Sequence, residues 1–89
     1  MIQSKIKIVN HLGLHARAAA KFAECASLFS SDIEIGTKHQ MVNGKSIMSV
    51  MMLAASKGTT LTLKVRGNDE NKANEALTKL VEEHFGEDS

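Results

Sequence analysis

Thr60-Leu61-Thr62-Leu63-Lys64-Val65-Arg66 alternates polar and apolar side chains without a break. Period two marks a strand with one buried and one wet face, so Leu61, Leu63 and Val65 are expected inward. Thr60, Thr62, Lys64 and Arg66 are then outward. The same signal recurs upstream. In residues 2–9, Ile2, Ile6 and Ile8 oppose Gln3, Lys5 and Lys7, and in residues 32–37, Ile33 and Ile35 point inward. Residues 39–43 read as a short strand joined to 32–37 by a tight turn, and Asn43-Gly44 ends that pairing. Four half-apolar strands need cover on one face only.

The segments between them supply the cover. Residues 16–28 are alanine-rich and favour helix, with Ala19, Phe22, Ala23, Ala26 and Phe29 recurring at helical spacing as a buried face. Cys25 lies in this run as a small core or near-core residue. Ser46 is a natural N-cap for a short helix over residues 47–54, and Lys57-Gly58 turns the chain. Gly67-Asn68-Asp69 turns and caps a last helix over residues 70–84. Its apolar face is Ala73, Ala76, Leu77, Leu80, Val81 and His84, and Gly86 is the stop. The predicted class is α+β: an open-faced α/β sandwich with a four-stranded, largely antiparallel sheet and three helices on one face. The order is βαββαβα, in one domain spanning residues 1–89.

Composition narrows the function classes. The 89-residue chain suits a module or carrier better than an enzyme with a deep cleft. Eleven Lys and Arg against ten Asp and Glu give a net charge of +1, without the basic excess that marks a nucleic-acid binder. Phe22, Phe29 and Phe85 are the only aromatic residues, so stacking on bases has little to work with. One cysteine allows no intrachain disulfide and fits a cytoplasmic setting. No apolar run approaches the ~20 residues of a membrane span, and the N-terminus lacks a signal-peptide pattern.

The candidate chemistry lies in Gly13-Leu14-His15-Ala16-Arg17. Here a histidine enters a helix whose first backbone N–H groups are unpaired and attract anions. A neutral imidazole is a nucleophile that forms covalent intermediates, and a guanidinium two residues on offers a fork matched to phosphate oxygens. A phosphoryl group on His15 Nδ1 would receive the N–H groups of Ala16 and Arg17 and the Arg17 side chain. No Asp or Glu lies within five residues of His15 to repel it. The plainer alternative is a histidine that merely fills a turn or caps the helix.

The run Asn10-His11-Leu12-Gly13-Leu14-His15-Ala16-Arg17-Ala18-Ala19, with Asn43-Gly44-Lys45-Ser46-Ile47-Met48 about thirty residues on, resembles the HPr family. These are the histidine-containing phosphocarriers of the bacterial phosphoenolpyruvate-dependent phosphotransferase system. The resemblance covers essentially the whole chain. It implies that His15 accepts a phosphoryl group from enzyme I and passes it to enzyme IIA domains, with Arg17 supporting the group. It also implies a monomeric carrier rather than an enzyme, with no cofactor of its own; magnesium and phosphoenolpyruvate belong to enzyme I. Ser46 resembles the regulatory site read by HPr kinase/phosphorylase. Two positions depart from the family pattern. Ala18 stands where a proline usually follows the arginine, and Leu12 where a small polar cap is common.

Ile47, Met48, Val50, Met51, Met52 and Leu53 are too many apolar residues for one short helix to bury. Val50 and Leu53 are expected to face the sheet, leaving Ile47, Met48 and Met51 exposed near His15 as a docking patch. Other readings carry less. His11 and His15 have the spacing of a helical zinc pair, but a turn separates them and no further ligand pair follows, so no metal is expected. Gly44-Lys45-Ser46 resembles the end of a P-loop, but His39 stands where its first glycine belongs. His39 and His84 carry no functional signal. A small α/β ligand- or partner-binding module is the remaining alternative.

Overall fold

The alternating segment becomes one of the two inner strands of the sheet. The computed structural model describes residues 1–89. It contains β1 (Ile2–Lys7), α1 (Ala16–Ala26), β2 (Asp32–Thr37), β3 (Gln40–Asn43), α2 (Ile47–Met52), β4 (Thr60–Arg66) and α3 (Glu70–Glu82), followed by a 3₁₀ turn, His84–Gly86. The strand order is β1-β4-β2-β3, and every pairing is antiparallel. β4 therefore serves both neighbours: Leu61 lies opposite Ile6, Leu63 opposite Ile35, and Val65 opposite both Ile2 and Ile33. These inward residues form one core with Ala18, Ala19 and Phe22 of α1, Val50 of α2, and Ala73, Leu77 and Val81 of α3. The architecture is the α+β sandwich expected, in the order βαββαβα. Thr62 points to the open face as predicted, but Lys5 Nζ donates to its Oγ1 at 2.9 Å, and the threonine is buried beneath that side chain.

Three helices end earlier than periodicity suggests, each for a local reason. α1 tightens after Ala26: Leu28 N–H donates to Cys25 and Phe29 N–H to Ala26, three residues back. Phe29 still packs against the core from outside the helix. α2 stops at Met52 because Ala54 takes a left-handed conformation, φ +51°. α3 stops at Glu82, and His84 and Phe85 adopt φ +60° and +55°. His84 is thus part of the terminal turn rather than the helix face, and Gly86 follows the break instead of making it. Turning there buries Phe85 completely in the core.

Asp69 stands at the N-cap of α3, but its carboxylate does not cap that helix. It accepts hydrogen bonds from the Ser30 and Ser31 amides at 2.9 and 3.0 Å and from the Ser31 hydroxyl. The start of α3 is thereby fastened to the turn between α1 and β2. The Ser31 hydroxyl, followed by the Ser30 amide, lowers the Asp69 pKa to about 2. A depressed carboxylate pKa stabilises the fold above the unfolded-state value and loses that contribution as pH falls through the folded one. Asp69→Asn is therefore expected to melt below wild type at pH 7, with the difference shrinking as the pH is brought down towards 2. Thermal denaturation followed by circular dichroism at both ends of that range checks it.

Candidate functional site

The site begins at the turn after β1. Gly13 has φ +69°, and a Cβ built there would lie 2.4 Å from the Ala55 carbonyl oxygen. Glycine alone permits this approach of the turn to the exit of α2, which is secured by Leu14 N–H donating to Ala55 O at 2.8 Å. Leu14 is buried by the same approach, and His15 follows at the N-cap of α1 with extended backbone, φ −75° and ψ 178°. Its carbonyl accepts the first helical bond, from Ala19 N–H at 2.9 Å.

No side chain caps α1, and its first turn holds no acid. The amides of Ala16 and Arg17 therefore find no acceptor in the chain, and the positive end of the helix stays uncompensated. Leu12 offers no capping group, and Asn10 is engaged elsewhere. His15, Ala16 and Arg17 line one open recess together with Leu12, Lys21, Gly86 and Glu87. Arg17 is exposed and forms no ion pair within the chain. The structure thus brings His15, Ala16 and Arg17 together as the sequence suggested.

The absence of an acid near His15 holds only along the sequence. The chain's end folds back so that Glu87 Oε2 meets His15 Nε2. Glu87 Oε1 accepts from Asn10 Nδ2 at 3.0 Å, and the same Nδ2 donates to the Gly13 carbonyl at 2.8 Å. Lys21 Nζ donates to Phe85 O at 2.8 Å and fastens the tail to α1. Burial by itself would raise the Glu87 pKa, but hydrogen bonds from Asn10 and His15 and the nearby Lys21 charge outweigh it and hold the carboxyl below its ordinary value. Glu87, Asn10 and Lys21 are the site residues that sequence reading missed. No periodicity or motif connects Glu87 to a histidine 72 residues earlier.

Ser46 caps α2 as predicted, its Oγ accepting from Ser49 N–H at 3.2 Å. Val50 is buried and Leu53 packs partly buried against the core. The apolar patch needs one correction. Ile47 and Met48 are exposed, but Met51 packs partly buried against the core, and Met52, at 68% exposure, takes the outward position. The short helix turns its Val50–Met51 side toward α1 and the sheet, which rotates Met52 into solvent.

The comparisons with known proteins point to one family. A family model described as "PTS HPr component phosphorylation site" matches residues 2–83. The phosphocarrier protein HPr of Neisseria meningitidis serogroup A is 51% identical over 87 residues, covering 98% of each chain. That of Xylella fastidiosa is 46% identical over 89 residues and the full length of both. Among solved structures, HPr-C-His from Thermoanaerobacter tengcongensis superposes with a TM-score of 0.94 at 45% identity, with both chains covered completely.

Gly13→Ala forces a Cβ into the Ala55 backbone at a left-handed residue. It is expected to cost about 1–3 kcal/mol, measured by urea denaturation.

Proposed function

The chain belongs to the HPr family of phosphocarriers of the phosphotransferase system, and on that premise we propose that His15 is its phosphoryl acceptor. The group is received on Nδ1 from phosphorylated enzyme I and handed to enzyme IIA domains. The uncapped start of α1, with His15 at its N-cap and Arg17 in the same recess, is the observation that carries this reading. The Ala16 and Arg17 amides supply two donors to the phosphoryl oxygens, and the guanidinium supplies a fork and a charge. His15 Nε2 is engaged by Glu87, whereas Nδ1 has no partner in the chain. That supports Nδ1 as the reacting nitrogen. The protein is a carrier without turnover of its own, working as a cytoplasmic monomer.

Ser46 is the regulatory residue in this proposal, modified by an HPr kinase/phosphorylase. Its hydroxyl accepts from an amide at the head of α2, so an added phosphate meets the positive end of that helix. The new charge, close to −2, stands next to Ile47 and Met48, the exposed part of a docking face completed by half-buried Met51. Regulation then acts through a partner surface without reshaping the fold. No helix is long and apolar enough to cross a membrane.

Intact-mass spectrometry after incubation with enzyme I, magnesium and phosphoenolpyruvate is expected to show one acid-labile phosphoryl group on wild type and none on His15→Ala. A wild-type protein that stays uncharged beside a relative that charges would overturn the assignment. For the docking face, Met48→Asp should raise the enzyme I KM while the melting temperature holds; unchanged kinetics would remove Met48 from the interface. For Ser46, kinase and ATP should add phosphate to wild type but not to Ser46→Ala, and no modification of wild type would end the regulatory reading.

A further inference from the structure

We propose that Glu87 is a positioning residue for phosphoryl transfer: its carboxylate accepts the Nε2 proton of His15 and thereby keeps the ring's lone pair on Nδ1. The inference rests on the reading of His15 as acceptor and adds the group that sets its tautomer.

The polarity of the network follows from Asn10. This side chain is fully buried, and its Nδ2 donates to Gly13 O and to Glu87 Oε1. Turning the amide over would set Oδ1 against those two acceptors. The observed orientation is retained although it leaves Oδ1 buried without a partner. An ionised carboxylate only accepts hydrogen bonds, so with Asn10 donating to Oε1, Oε2 requires a proton from His15 Nε2. In a neutral imidazole, a proton on Nε2 leaves the lone pair on Nδ1.

The tail is constructed to deliver this carboxylate. His84 and Phe85 are successive non-glycine residues with positive φ, a conformation that L-residues avoid. Such strain persists where the surroundings over-determine it. Here Phe85 is fully buried in the core and its carbonyl is held by Lys21. Gly86 then turns at φ +79° and returns the chain to His15, where the Glu87 side chain is only 15% exposed.

The transfer step balances without a proton moving. The Nδ1 lone pair forms the new N–P bond while the bond from phosphorus to the donor breaks, and its electron pair leaves with the donor. The proton stays on Nε2, hydrogen-bonded to the Glu87 carboxylate, before and after. Positive charge added to the ring meets a carboxylate already in place, with no reorganisation at the moment of reaction.

The test compares Glu87→Gln with Glu87→Ala. In Glu87→Gln, Asn10 still donates to Oε1, which turns the new NH₂ group toward Nε2. That demands the lone pair on Nε2 and moves the proton to Nδ1. In Glu87→Ala the ring is released and is free to keep its proton on Nε2. Nitrogen-15 NMR of the unphosphorylated protein, at a pH where the ring is neutral, should report Nε2–H in wild type and Nδ1–H in Glu87→Gln. Charging by enzyme I should slow by about tenfold or more in Glu87→Gln and by less in Glu87→Ala, with the enzyme I KM little changed in both. A wild-type ring protonated on Nδ1, or a Glu87→Gln protein with wild-type tautomer and rate, overturns the inference. Should wild type fail to charge at His15, the acceptor reading falls and the transfer role of Glu87 with it, while the NMR comparison still decides whether Glu87 sets the ring's tautomer.

Discussion

Burial of one face of β4 governs this fold. Leu61, Leu63 and Val65 are essentially inaccessible to solvent, and each lies opposite a residue of β1, of β2, or of both. Sliding either neighbour by one residue would send Ile6 or Ile33 and Ile35 into water, so the register has no close competitor. Thr60, Lys64 and Arg66 on the opposite face are solvated or half-solvated, which forces all three helices to the same side. Crowding them there brings the end of α3 against α1, where Phe85 enters the core and Lys21 reaches its carbonyl. The site at His15 is thus a product of one-sided packing.

What the sequence disclosed and what it hid divide along a physical line. β2 and β4 carry a period-two pattern within the strand itself, and their observed ends match the alternation. The start of α1 was equally legible, because Gly13 and the alanine run are local signals. The helix ends were not. Ala54, His84 and Phe85 adopt left-handed backbone that L-residues avoid, and only tertiary contacts hold them there. Asp69 looks like a cap in sequence, yet its carboxylate serves Ser30 and Ser31 instead. The exchange of Met51 for Met52 on the outward face has the same origin. Six consecutive apolar or small residues set no phase, and packing on α1 chose it.

Within the recess, charges of both signs are sorted by what they touch. The helix amides and Arg17 have no partner in the chain, so their potential is available to an anion. Glu87 is negative, but Asn10 and His15 Nε2 engage both of its oxygens, and Lys21 lies nearby. A carboxylate satisfied in this way repels an incoming phosphoryl group less than a free one, because its charge is already met by donors. An acid therefore sits beside the proposed acceptor without contradicting the attraction of α1 for phosphate.

A carrier must also let go, and the shape of the site bears on that. The His15 side chain is 27% exposed at the edge of an open recess, and Arg17 is exposed without an ion pair in the chain. Donors that gripped the phosphorylated state tightly on all sides would lower its energy and slow its departure, since only interactions stronger in the transition state speed transfer. In the proposed site, a shallow cradle of two amides and one unpaired guanidinium stabilises modestly and leaves the phosphorus open to the next nucleophile. Ile47, Met48 and Met52 on α2, and Leu12 at the rim of the recess, are exposed apolar side chains, and in the proposed reading Met52 and Leu12 extend the docking face against which a partner closes. Flexible methionines fit more than one such surface, as the exchange between a donor and several acceptors requires.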